Sequence, residues 1–304
     1  MLLELPIIDR LNETLSDFRA NTIFYFCLFV LIPISIISSF ICLIWVFRKI
    51  RSFEAKTSKM REINTYIQKG AIIYLKQQAR TLFIALAILF FPVGLSGIGY
   101  LYNPIFGFFL TGGIFLIGAI CSLTAGYIGM KNATKINIFV VESSIENPNE
   151  GFKLAYYGGM ITGILTISML VTGIWLIIII TQANVYLMIG FSFGASVTAL
   201  LAQVGGGIFT KSADIGADMV GKYEMSIKED DPNNPAVIAD LIGDNVGDCA
   251  ARGADLFESA SSDAISGMIL GIALFKMTGE PIFIVTNLTL ISLGMFSLFV
   301  TMKF

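Results

Sequence analysis

The sequence predicts an all-α protein, a polytopic transmembrane helical bundle, from three observations. Of its 304 residues 55% are apolar and only 14% are charged, more apolar side chain than a soluble core hides. The apolar residues gather in uncharged runs of about 20, the length that a hydrocarbon core demands. The charges are sorted by position: the segment 48–80 holds nine of the twenty Lys and Arg residues, against only Glu54 and Glu62.

The chain is read as one integral membrane domain, 1–304, with about seven spans. The first is expected at 23–46, behind an acidic, mildly amphipathic stretch carrying Glu4, Asp9, Glu13 and Asp17. It lacks the basic start and small-residue cleavage site of a signal peptide and is expected to stay attached. The basic segment 48–80 is placed in the cytoplasm by the positive-inside rule, which puts the N-terminus outside. Further spans follow at 81–102, 105–129, 154–181, 184–209, 238–275 and 281–302. Alternation then makes the stretches 130–153 and 210–238 cytoplasmic. Gly112, Gly113, Gly118, Gly126 and Gly129 in the third span, and Gly190, Gly194, Ala195 and Ser196 in the fifth, are small enough to let helices approach closely in lipid.

Composition also narrows the chemistry. A net charge of −2 gives no basis for nucleic-acid binding. Cys27, Cys42, Cys121 and Cys249 show no CxxC spacing, so neither a disulfide framework nor a zinc site is expected. Histidine does not occur. Catalysis would therefore run on carboxylates, lysines and hard, oxygen-loving metals.

Twelve of the twenty-two acidic residues lie between Asp214 and Asp263. Lys211, Asp214, Asp218 and Lys222 are spaced to share one face of a helix continuing from the fifth span. Asp240, Asp244 and Asp248 repeat every four residues, followed by Asp255 and Glu258, which gives a second helix an acidic stripe. Such carboxylates repel each other, and each would cost about 2.5 to 3.5 kcal/mol at a bilayer centre, so the stripe calls for compensating cations. Magnesium fits, because it takes carboxylate and phosphate oxygens and needs no nitrogen or sulfur; interleaved lysines would hold phosphate as point charges. The plain alternative is a solvated acidic face, which suits a soluble helix better than a stripe running into a span.

Two familiar patterns fail. GGGIFTKS has Thr210 where a phosphate loop needs glycine before the lysine, and it follows a membrane helix instead of a strand. The run EDDPNNPAVIAD has Ala236 where a calcium loop starting at Asp231 needs glycine. EDDPNNP instead reads as a tight turn, bringing the two acidic helices back antiparallel with their carboxylates facing.

The run GGGIFTKSADIGADMVGK, then EDDPNNPAVIAD, GDNVGD and GADLFES, resembles over about sixty residues the signature of membrane-bound, ion-translocating inorganic pyrophosphatases. Weaker similarity extends upstream through GFSFGASVTAL, GYIGMKNATKINI and SKMREINTYIQKGAIIYLKQQAR. The resemblance implies a cytoplasmic site where Mg2+ ions clamp pyrophosphate and hydrolysis drives export of H+ or Na+, with K+ as an optional activator. Carried over by position, Lys211 and Lys222 would bind substrate. Asp214, Asp218, Glu229, Asp240, Asp244 and Asp248 would hold or support metal. Asp244 and Asp248 would be catalytic, Asp248 deprotonating the attacking water, and Asp255 and Glu258 would belong to the ion gate.

Four positions depart from the family pattern: Gln203 and Asn233 replace arginines, Leu241 replaces an asparagine, and Arg252 replaces a small apolar residue. Family members run to roughly twice this length, and their second half supplies matching aspartates and lysines to the same site, so the resemblance implies a C-terminal complementing half, a homodimer, or both as partners. Two other readings stand beside the pump: a metal-ion transporter or channel without hydrolysis, and a catalytically inactive membrane fragment or assembly partner.

Overall fold

In a computed structural model of the chain, residues 22–50, 57–99, 103–182, 184–224, 226 and 234–301 are described. Among them there is no strand, and six helices are long and apolar enough to cross a membrane. These are α1 (Thr22–Ile50), α2 (Ser58–Gly99), α3 (Pro104–Glu146), α4 (Pro148–Ile180), α5 (Val185–Glu224) and α6 (Ala236–Thr278). A further apolar helix, α7 (Ile282–Thr301), follows. The protein is an all-α membrane bundle.

Several helices run beyond the stretch a bilayer needs. Much of the basic segment is the first half of α2, most of 130–153 is the end of α3 and the start of α4, and 210–224 continues α5. Continuing the helix satisfies backbone groups that a loop would leave to water or side chains. Breaks come where asparagine precedes proline. Asn103 accepts from the amides of Ile105 and Phe106, Asn147 from Asn149, and Asn234 from Ala236, each with proline as the first helical residue. The asparagine oxygen meets an orphan amide while proline, which has no amide to lose there, presets the helical φ. The other end of α6 is closed by Gly279, whose φ of 79° is the left-handed conformation that favours glycine.

Helices α3 and α5 cross closely. A Cβ on Gly118 would strike the carbonyl oxygen of Phe191, and one on Gly194 would strike that of Phe115, so each helix presents a glycine to the other's backbone. Such contact supplies dispersion and packing where lipid offers no hydrophobic drive. Around the crossing lie Phe115, Phe191 and Phe257, all fully buried, with the last two rings 5.8 Å apart. On the opposite flank α1 meets α4 through polar contacts: Ser168 donates to the Ser39 hydroxyl at 2.8 Å, and the Trp175 indole donates to the Leu28 carbonyl at 2.8 Å. Leu28 sits in a π-helical turn, Cys27–Leu31, whose widened spiral makes a carbonyl available to a neighbouring helix.

Candidate functional site

Helices α5 and α6 are antiparallel neighbours, and a ladder of contacts sets their register. Asn234 Nδ2 donates to the Ala217 carbonyl at 2.8 Å, and Thr210 Oγ1 donates to the Gly243 carbonyl at 2.8 Å. Farther along, the Ser196 hydroxyl donates to Glu258 at 2.6 Å, and the Ser192 and Ser262 hydroxyls lie 2.7 Å apart. Residue numbers fall on α5 as they rise on α6, so the charged end of each helix faces that of the other. Gly243 is buried against Thr210, where an added Cβ would meet Thr210 Cα at 2.9 Å.

On α5 the four charged residues form two pairs. Lys211 Nζ lies 2.9 Å from Asp214 Oδ2, and Lys222 Nζ lies 3.0 Å from Asp218 Oδ2. Lys211 stands in the charged extension beyond the apolar part of α5, where its pKa is raised first by the hydrogen bond and charge of Asp214, then by the charges of Asp240 and Asp244. Those last two aspartates belong to α6, so the lysine of one helix stands in the field of carboxylates on the other. Asp240 is half-buried and Asp244 exposed. Among the described residues no three acidic or cysteine side chains converge as a metal cage. Glu229 and Asn233 lie outside the described residues, as does the acidic turn between Glu229 and Asn233.

Asp248 takes a different partner. Arg252 Nε donates to its Oδ1 at 3.0 Å, and both side chains are largely exposed, at 74% for Arg252 and 68% for Asp248. The arginine that departs from the family pattern therefore pairs with the aspartate that the resemblance makes the base. The backbone here is a π-helical run, Val246–Ala251, and a second one, Val220–Glu224, carries Lys222. A π turn takes one more residue than an α turn, so side chains beyond it rotate relative to those before it. The stripe of Asp240, Asp244, Asp248, Asp255 and Glu258, which the spacing alone places on one face, is rephased after Asp248. π-Bulges concentrate at functional sites.

Glu258 lies half-buried deeper along α6. One oxygen accepts from Ser196 of α5 at 2.6 Å and from Ser262 at 3.1 Å; the other accepts from Ser259 at 3.4 Å. Among the described residues its hydrogen-bond partners are all hydroxyls, from Ser196, Ser259 and Ser262. Asp255 is half-buried one turn nearer the charged end, with no hydrogen-bond or ion-pair partner among the described residues. Gln203 and Leu241, two further departures, are both exposed.

Asparagines are the functional candidates that motif reading misses. Asn245 accepts from Asn137 of α3 at 3.0 Å and donates to the Leu241 carbonyl at 2.9 Å, tying α6 to α3 between Asp244 and Asp248. Asn234 caps α6 and binds α5 at once. The Asn-Pro dipeptide could have flagged Asn234; Asn137 lies inside the segment GYIGMKNATKINI, but its spacing gives it no partner.

The family model described as inorganic H+ pyrophosphatase matches residues 37–304. Over 236 residues, 73% of this chain, it is 42% identical to a K(+)-insensitive pyrophosphate-energized proton pump of Caldanaerobacter subterraneus subsp. tengcongensis, of which the match covers 33%. It is 40% identical over 83% of its length to a second such pump of Moorella thermoacetica, and 39% identical over 79% to a putative K(+)-stimulated pyrophosphate-energized sodium pump of Clostridium tetani. Those matches cover 36% and 35% of the relatives, so the shared region spans about a third of their length. With α5 and α6 carrying the family's signature in one antiparallel pair, this multi-pass chain belongs to the inorganic H+ pyrophosphatase family of membrane proteins.

Proposed function

We propose that this chain carries part of the site of a pump that couples Mg2+-dependent pyrophosphate hydrolysis to translocation of H+ or Na+. The observation that carries the reading is the antiparallel register of α5 and α6, set by the Thr210–Gly243 and Asn234–Ala217 bonds, which brings the Lys211–Asp214 pair of one helix level with Asp240 and Asp244 of the other. A lysine among carboxylates on facing helices is the arrangement that a metal-bound phosphate anion needs.

The donor set fits magnesium in kind. Every candidate ligand is a carboxylate oxygen, the chain has no histidine, and the described carboxylates form no closed cage. Asp214, Asp218, Asp240 and Asp244, with Glu229, would hold the ions, and further ligands would come from a complementing half. Bound magnesium would neutralise phosphate charge and make a bound water more acidic. Lys211 and Lys222 would orient the pyrophosphate oxygens. Asp248 would accept the water proton as the water oxygen bonds to one phosphorus and the bridging P–O bond breaks, releasing two phosphates. Asp255 and Glu258 would pass the ion between α5 and α6. The basic segment 48–80 supports a cytoplasmic site by the positive-inside rule. Cysteines placed at Ser226 and at Asn147 should then be labelled only from the cytoplasmic side; external labelling of either would overturn the orientation. The relatives' names span K(+)-insensitive proton pumps and K(+)-stimulated sodium pumps, which supports either ion and makes K+ an activator to test.

A silent assembly partner is favoured by one observation, the Arg252–Asp248 ion pair. Thermal stability of the purified protein separates the readings. A non-hydrolysable pyrophosphate analogue with Mg2+ should stabilise the pump far more than Mg2+ alone, because ligand and metal bind the folded site together. Equal shifts with and without the analogue would support a metal transporter, and no shift in either would support the silent partner.

A further inference from the structure

Where α1 and α3 leave their apolar stretches, a cleft of about 350 Å³ opens between them, outside the carboxylate site. The α1 side of its lining is apolar, Phe47 and Ile50, while α3 contributes Ile128 together with Lys131, Asn132 and Lys135. Among the described residues no carboxylate lines it. Both lysines are exposed, and neither has an ion-pair partner among the described residues; Lys131 only leans over the Tyr127 ring, 5.9 Å from its centroid. Asn132 is 7% exposed, and its side-chain nitrogen makes no hydrogen bond.

The depth of the cleft is marked independently. At the same end of α1, Lys49 donates to the Tyr157 hydroxyl at 2.7 Å and lies over the rings of Trp45 and Tyr157, with the two rings edge to face. Trp, Tyr and Lys in such a cluster sit where lipid headgroups meet acyl chains. The cleft therefore lies at headgroup level, with apolar residues of α1 and α3 lining it beside two lysine ammonium groups that have no ion-pair partner among the described residues.

We propose that this cleft binds one anionic phospholipid, its phosphate between Lys131 and Lys135 and the start of an acyl chain against Phe47, Ile50 and Ile128. The volume suits a headgroup with the first acyl carbons, and basic pockets between spanning helices take acidic headgroups. A free phosphate would use the lysines but leave the apolar lining unfilled.

Native mass spectrometry of the detergent-purified protein, titrated with phosphatidylglycerol and phosphatidylcholine, tests the assignment. One phosphatidylglycerol should bind about 10- to 30-fold more tightly than phosphatidylcholine, the effect of two lysines near the surface. K131Q/K135Q should bring the two lipids to near parity with helical content unchanged by circular dichroism. K153Q, an exposed lysine outside the cleft, should keep the preference. A double variant that retains the preference, or a K153Q variant that loses as much, would overturn the site. Displacement of phosphatidylglycerol by millimolar inorganic phosphate would overturn the lipid and identify a soluble anion as the occupant.

Discussion

Asp248 and Glu258 are carboxylates on the same helix, α6, and their surroundings are opposite. Asp248 is mostly exposed and meets a charged partner four residues along its own helix. Glu258 is half-buried and meets neutral hydroxyls, one of them from α5. Near water an ion pair on one helix contributes little stability and exchanges readily. Deeper in the bundle, a charge without partners is far more expensive, and serines from two helices provide donors without a second charge. On the proposed function, the first setting suits a base that trades partners during chemistry, and the second suits a residue that keeps its surroundings while an ion passes.

The sharpest way to break the comparison is at Asp248. In a preparation that hydrolyses pyrophosphate, Asp248→Asn keeps the shape but cannot accept the proton. Turnover should fall by about 100- to 10,000-fold while analogue binding largely survives, read by steady-state phosphate release beside a binding titration. Retained turnover would remove Asp248 from the mechanism.

The frame that both carboxylates share can be strained next. Gly194→Val puts a branched side chain against the Phe115 carbonyl. Overpacking of this kind costs about 1 to 3 kcal/mol, so the unfolding midpoint in denaturant should drop. An unchanged midpoint would mean that α3 and α5 part easily.

At Glu258 the expected effect is smaller and different in kind. Ser196→Ala removes the 2.6 Å donor, a loss of about 1 kcal/mol for a hydrogen bond within a membrane bundle. The ratio of ions moved to pyrophosphate hydrolysed should fall more than hydrolysis itself, measured in sealed vesicles. A parallel fall in both would place Glu258 in hydrolysis.

The smallest effect is expected at Arg252. Breaking its exposed pair by Arg252→Met should change stability by about 0.5 kcal/mol or less and leave turnover equal or higher, as Asp248 is released. Collapse of turnover would show that the arginine has joined the site.

Much of this site was legible in the sequence, because its logic is local. Lys211 with Asp214 and Lys222 with Asp218 are paired as three- and four-residue spacing demands, and α5 and α6 are antiparallel. The Arg252–Asp248 contact was legible for the same reason. The rephasing of α6 was not, since a π turn depends on what packs around the helix and leaves no mark in the spacing of aspartates. Nor were the hydroxyl partners of Glu258, because Ser196 is read alone as a small packing residue and becomes a donor only when α5 lies beside α6.

The sequence by itself determined the all-α membrane bundle, since apolar runs of span length leave the backbone no other way to bond within lipid. It also narrowed the candidate side chains for the proposed chemistry to carboxylates and lysines, through a chain with no histidine and with acidic residues clustered on two segments. The tertiary structure decided which carboxylate faces water and which faces serines, how α5 and α6 are aligned, and where asparagines such as Asn137 and Asn245 stitch the helices together. Composition and period act along one helix, whereas these outcomes depend on donors and backbones brought in from helices far away in the chain.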